Sequence, residues 1–133
     1  MRRFVLIAAM TLAGLPAAQA VDCDNAEDQA TMTACADMAL KATDRQLNTT
    51  YQAITRRLAD DPDTAKQLVA AQRAWIAFRD AECDFRSSGV SGGSAYPMVR
   101  AACLDGLTRT RLDQLKTLLA CQEGDMSCPV PAE

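Results

Sequence analysis

Six cysteines constrain this 133-residue chain more than any other feature. They stand at positions 23, 35, 83, 103, 121 and 128, and no two have the Cys-x-x-Cys spacing of a structural zinc site. In a short exported chain that number reads as three disulfides. The N-terminus is of the exported kind. Arg2 and Arg3 precede an apolar run from Phe4 to Leu15, and Ala18-Gln19-Ala20 is a small-x-small cleavage site. This pattern predicts a secretory signal peptide over residues 1–20, because the apolar run is too short to span a bilayer. Residues 21–133 then form a single domain, with an irregular tail from about residue 122. Val21 and Asp22, ahead of Cys23, are unlike the residues that precede a lipid-attachment cysteine. The expected product is therefore free of a membrane anchor, in a bacterial periplasm or outside the cell.

Hydrophobic periodicity places these cysteines on helices. Leu40, Asp44, Leu47, Tyr51, Ile54 and Leu58 recur at spacings of four and three, an amphipathic helix with one foreign member, Asp44. Asp61 then caps a second long helix that starts at Pro62 and runs to Cys83 or slightly beyond. The stretch from Arg86 to Ser94 is rich in glycine and serine and reads as a loop. Pro97 opens the last helix, which carries Leu104, Leu107, Thr108, Arg111, Leu115, Leu118 and Leu119 before Gly124 stops it. At the N-terminus, Asp24 and Glu27 form a capping box for a short helix from about Asn25. An unbroken helix would hold Cys23 and Cys35 about 18 Å apart, beyond disulfide reach. A break near Cys35 is expected, with Asp37 capping the helix that follows. The predicted architecture is all-α: a small antiparallel bundle of three main helices plus a short N-terminal helix, stapled by disulfides.

Short connections make neighbouring helices antiparallel, which brings Cys35, Cys83 and Cys103 to one end, with Cys23 close by. Cys121 lies about 27 Å further along the last helix, where Cys128 alone is within reach. The expected bridges are therefore Cys121–Cys128, Cys83–Cys103 across the loop, and Cys23–Cys35. The same measurement of depth addresses a second oddity. Leu68, Gln72, Trp75, Arg79 and Cys83 share one helix face, so two long polar groups stand where a core is expected and need partners. Asp44, Arg111 and Gln72 lie at similar depth, roughly 12–16 Å from the cysteine end. A structural polar network is expected: Asp44 and Arg111 as an enclosed ion pair, Gln72 completing its hydrogen bonds, and Arg79 held by Glu82, Asp80 or a carboxylate of the first helix.

The chain has no histidine, which removes Ser-His and Cys-His catalysis and His-ligated metal sites. Ser91 has no base, and an Asp with an Arg but no nucleophile or second carboxylate is not a catalytic constellation. No catalytic residue, metal or cofactor is expected. The formal net charge of −3 becomes about −5 once Arg2 and Arg3 are removed. That balance disfavours nucleic acid and suits a cationic protein partner.

The pattern runs Cys23…Cys35, Asp44-x-x-Leu47-Asn48-x-x-Tyr51, Gln72-Arg73-Ala74-Trp75-x-x-Phe78-Arg79-Asp80-x-x-Cys83, Gly92-Gly93-Ser94, and Cys103-Leu104…Thr108-x-x-Arg111. It resembles the LprI-type lysozyme-inhibitor family over about Cys23 to Leu119, leaving Cys121 and Cys128 outside the shared part. The resemblance implies an exported, disulfide-bonded helical protein that inhibits lysozyme. Such an inhibitor needs a protrusion. The loop anchored by Cys83–Cys103 supplies Ser91, Gly92, Gly93, Ser94 and Tyr96 as a candidate partner-binding site, unless it is a plain connector. The expected partner is a cationic lysozyme. The alternative is a non-inhibitory structural or accessory module of the cell envelope, which an exposed apolar patch including Met32 and Met38 would favour.

Overall fold

A computed structural model describes residues 21–132, so the expected signal peptide lies outside the described residues. Three helices follow in order: α1 (Gln29–Arg57), α2 (Pro62–Ser87) and α3 (Tyr96–Leu119), with a short 3-10 turn at Ser88–Val90 after α2. Local chemistry sets their ends. The Asp28 carboxylate accepts the Thr31 backbone N–H at 2.9 Å, and no glycine or proline interrupts the chain from there to Arg57. Arg56 and Arg57 in the last turn suit the negative end of the helix dipole. Asp61 caps α2 in the same way, accepting the Thr64 N–H at 3.1 Å, and Pro62 fills the first helical position, where a missing N–H has no consequence.

The N-terminus departs from expectation. Residues 21–28 form turns rather than a helix, and α1 passes unbroken through Cys35 and Asp37. The cap is Asp28, not Asp24 or Asp37. The reach argument that called for a break assumed both cysteines on one helix. Cys23 instead sits in a turn that folds back along the start of α1, bringing its Cα to 5.6 Å from that of Cys35, to which it is bonded. The Asp22 carboxylate holds that turn by accepting the Asp24 N–H at 3.1 Å.

Cross-links between helices give the topology. Gln29 meets Met98, Thr43 meets Asp105, and Arg57 donates to the Leu119 carbonyl, so numbers rise together and α1 and α3 run parallel. Gln72 meets Arg111 and Cys83 is bonded to Cys103, so numbers run in opposite senses and α2 is antiparallel to both. The result is an up-down-up, all-α antiparallel bundle. Its closest packing is between α1 and α3, while the α2 backbone stands off from α1.

The two ends of the bundle are held differently. Away from Cys83–Cys103, the core is built on Leu47 and Ile54 of α1, Leu58 at its C-terminal cap, and Leu112 and Leu115 of α3. Tyr51, Leu68 and Trp75 pack against it. At the other end the buried groups are small and polar: Thr43, Ser87 and Thr108 beside Cys83 and Leu104. Their hydroxyls are satisfied, Thr43 Oγ1 donating to Asp105 Oδ1 at 2.6 Å, Ser87 to the Cys83 carbonyl and Thr108 to the Leu104 carbonyl at 2.7 Å. Little apolar surface is buried there, and two disulfides take its place.

The tail belongs to the apolar end. Gly124 has φ +87, a conformation that favours glycine, and Cys121 is bonded to Cys128 across the turn it makes. The Cys128 N–H donates to the Asp125 carbonyl at 3.1 Å. This bridge delivers Val130 onto the core, where it is 3% exposed.

Replacing Val130 by Ala is expected to lower stability to urea by about 1–2 kcal/mol, the transfer energy of the methyl groups plus the space they leave. Met126→Ala, at a fully exposed position of the same tail, should leave it within about 0.5 kcal/mol. An acid titration followed by circular dichroism tests the caps. Hydrogen bonds from Thr31, Thr64 and Ser127 hold the carboxyls of Asp28, Asp61 and Asp125 below the usual carboxylate range. A folded value below the unfolded one contributes stability above the ordinary carboxylate pKa, and that stability is lost as pH falls through the folded value. Melting temperature should therefore fall below about pH 4, and less steeply in Asp28→Ala/Asp61→Ala.

Candidate functional site

The inward stripe of α2 carries Leu68, Gln72, Trp75, Arg79 and Cys83, and its two polar members find different partners. The Arg79 side chain is only 16% exposed. Its Nε donates to Asp80 Oδ1 at 2.9 Å, its Nη1 lies 3.8 Å from Asp44 Oδ1, and the guanidinium sits 5.0 Å from the centroid of the Trp75 ring. The other Asp44 oxygen accepts from Asn48 Nδ2 at 3.3 Å. Gln72 is buried and accepts the Arg111 Nε–H at 3.1 Å, while Arg111 Nη1 donates to Gln114 Oε1 at 3.2 Å. Burial pushes the Arg111 pKa down from its ordinary value.

The expected Asp44–Arg111 ion pair is therefore replaced by two separate links, Asp44–Arg79 and Gln72–Arg111. Depth along the helix axes is shared by all of these groups. What differs is angle around the axis. Thr43 faces α3 through its bond to Asp105, and Asp44, one residue on, is turned toward α2 instead. Thr43–Asp105 is a register contact that neither residue's spacing announces.

Between α1 and α2 these side chains border a groove of about 430 Å³, with Asp44, Asn48 and Tyr51 on one wall and Gln72, Arg73 and Trp75 on the other. It continues into a more apolar hollow of about 610 Å³ beside the α1–α2 connection, with Leu58, Pro62 and Ala65 in its walls. Val69 and Arg73 border both. The groove exists because Trp75 and Arg79 hold the two helices apart. Tyr51 and Asn48 join it from α1; periodicity already placed Tyr51 on the inward face, whereas only the motif marked Asn48 in the sequence. The Asp44 and Arg79 charges face each other, with Asp80 and the Trp75 ring also against the guanidinium. Among the described residues no group of three or more His, Cys, Asp or Glu is placed to hold a metal ion, and every cysteine is bridged.

The glycine-serine segment is shorter and more ordered in form than a loop from Arg86 would be. The α2 helix runs on to Ser87, which is fully buried. Beyond it, three backbone bonds follow in succession: Ser91 N–H to the Ser88 carbonyl, Gly93 to Val90 and Tyr96 to Gly93, at 3.0–3.2 Å. Gly92 has φ +78, where a side chain would strain the turn. Ser91, Gly92, Gly93 and Ser94 are exposed and Tyr96 is half-buried. Cys83–Cys103 straddles the segment.

The same end of the molecule is acidic. Gln29 Nε2 lies 3.5 Å from Met98 Sδ, which sets the start of α1 beside the start of α3. Asp22, Asp24, Glu27 and Asp28, at the start of α1, therefore lie at the same end of the bundle as the 91–96 turn, where the bases Arg86 and Arg100 also stand.

The family model for the lysozyme inhibitor LprI matches residues 22–115, taking in α1, α2, most of α3 and the first two disulfides. An uncharacterised protein of Rhizobium meliloti (strain 1021) is 37% identical over 113 residues, spanning 77% of this chain and 81% of that relative. The crystal structure of a DUF1311 family protein of Pseudomonas putida KT2440 has the same fold, with a TM-score of 0.62 at 24% identity over 68% of this chain and 92% of that one. The family match stops short of the Cys121–Cys128 tail, an addition at the apolar end. With residues 22–115 matched and the helices and two disulfides of that region in place, the chain belongs to the LprI family of lysozyme inhibitors.

Proposed function

We propose that this protein is an exported inhibitor of lysozyme, or of a related cell-wall hydrolase, that enters the enzyme's cleft with its 91–96 turn. The observation that carries the reading is the form of that turn. Three successive backbone bonds and a bridge across its base hold it in one shape, so binding would order few torsions and lose little entropy. Ser91 and Ser94 present hydroxyls, and Gly92, whose backbone takes no part in those three bonds, leaves its N–H and C=O open to a sugar-binding cleft. The acidic start of α1 beside the turn suits a cationic enzyme, raising its encounter rate. Export agrees with the pattern of residues 1–20 and with three disulfides, which persist in oxidising compartments. No helix among the described residues is long and apolar enough to cross a membrane.

A second reading, an accessory module of the cell envelope, draws on Met38, which is 50% exposed on α1. Co-purification from envelope extracts with a partner that is not a hydrolase would favour it.

In a cell-wall clearing assay the mature protein is expected to suppress a cationic lysozyme. Full enzyme activity at micromolar excess of inhibitor would dispose of the proposal. Ser91→Lys/Ser94→Lys places two positive charges on the tip and should weaken inhibition by at least roughly tenfold, or about 1.4 kcal/mol, with the melting temperature unchanged. Inhibition indifferent to that change would move the contact elsewhere. Raising ionic strength from about 0.05 M to about 0.3 M should slow association, as screening of exposed charges requires.

A further inference from the structure

A second apolar face of α2 points away from the bundle. Its inward stripe holds Gln72 and Arg79, whereas its outer surface holds Ala70, Ala74, Ala77, Phe78, Ala81 and Phe85, all exposed, with Phe78 at 57% and Phe85 at 74%. These six recur at helical spacing on one side. No charge falls within the stripe, which is about 22 Å long. The position is the reverse of what a helix in an isolated bundle presents, and two exposed phenylalanines among alanines are knobs beside holes.

One flank of this stripe has an ordered charge pattern: Lys66, Arg73, Asp80 and Asp84, two bases followed by two acids. Such a row matches itself when a second copy runs antiparallel. A two-fold axis near residue 76 brings Arg73 opposite Asp80 of the second copy and Lys66 opposite Asp84. The same axis sets Phe78 against Ala74, a large side chain over a small one, and Ala81 against Ala70, where two small side chains let the backbones approach. Arg73 has no ion-pair partner among the described residues. Lys66 pairs with Asp63 at 3.1 Å on an open surface. Asp80 and Asp84 accept from Arg79 and Arg100 at 2.9 and 2.7 Å but keep 44% and 58% exposure, enough to take another donor.

We propose that two copies of this protein associate through the outer face of α2, antiparallel, as a two-fold dimer. A footprint about 22 Å by about 10 Å is far smaller than the roughly 800 Å² per partner of a standard interface, so the association is weak and reverses on dilution. The pairing is independent of lysozyme inhibition and leaves the 91–96 turn of each copy free, at opposite ends of the pair.

Sedimentation of the mature, oxidised protein between about 1 µM and about 1 mM tests this. The expected mass rises with concentration from that of one chain toward twice that value. Phe78→Asp, at an exposed position, should remain a monomer throughout with an unchanged melting temperature. Lys66→Asp should weaken association by roughly tenfold, and Lys66→Asp/Asp84→Lys, an exchange between two exposed positions, should restore it. A wild-type chain that stays monomeric, or a dimer indifferent to Phe78→Asp, overturns the proposal, the first outcome leaving this face to a different protein. Association that Phe78→Asp abolishes but the charge exchange does not restore overturns the antiparallel register.

Discussion

The Arg79 guanidinium sets how α2 lies against α1. A cation at 16% exposure is costly unless its surroundings replace water, and here they do so from three sides. Asp80 supplies a short hydrogen bond, Trp75 a ring face and Asp44 a carboxylate at 3.8 Å. The Asp80 contact is within hydrogen-bond distance and the Asp44 contact is not, so Asp80 fixes the head group and Asp44 mainly complements its charge. With the planar head in place, Trp75 spaces the helices and the groove between α1 and α2 stays open. The α1–α3 contact, by comparison, is made by aliphatic side chains and backbones that approach closely.

From that division follows the unequal build of the two ends. Leucines, Ile54 and the returning Val130 fill the end where α1 turns into α2. At the opposite end the interior is threonine, serine and cysteine, and cohesion there is covalent. This second end also bears the acidic start of α1 and the glycine-serine turn. The part of the molecule with the least apolar burial is thus the part that presents a shaped, charged surface, and cross-links allow it to do so.

Much of this was legible from residue spacing. Asp61-Pro62 marked the start of α2, and helix lengths left Cys121 no neighbour but Cys128, to which it is bonded. Rise per residue is a reliable ruler, so depth within the bundle could be read for Asp44, Gln72 and Arg111. Rotation about the axis could not. It depends on which pair of helices packs closest, and that is decided by the whole set of contacts, so Asp44 found Arg79 and Arg111 found two glutamines, Gln72 and Gln114. The N-terminal error has a different cause. A capping box at Asp24 and Glu27 is a local signal, and the Cys23–Cys35 bond overrode it by requiring a folded-back turn where propensity allowed a helix. Ser87 shows the limit of composition. It opens a serine-rich run, yet its hydroxyl returns to the Cys83 carbonyl and the helix continues through it.

Because the ends are held by different forces, they have different vulnerabilities. Heat and denaturant act on the leucine-filled end, whereas a reducing thiol opens the two clamps of the polar end and also the Cys121–Cys128 bridge that returns Val130 to the core. In reducing surroundings the polar end would lose its covalent ties, while the apolar end would keep its leucines without the cross-link of its tail. The shape of the polar end is thereby tied to oxidising surroundings, in which such bridges persist.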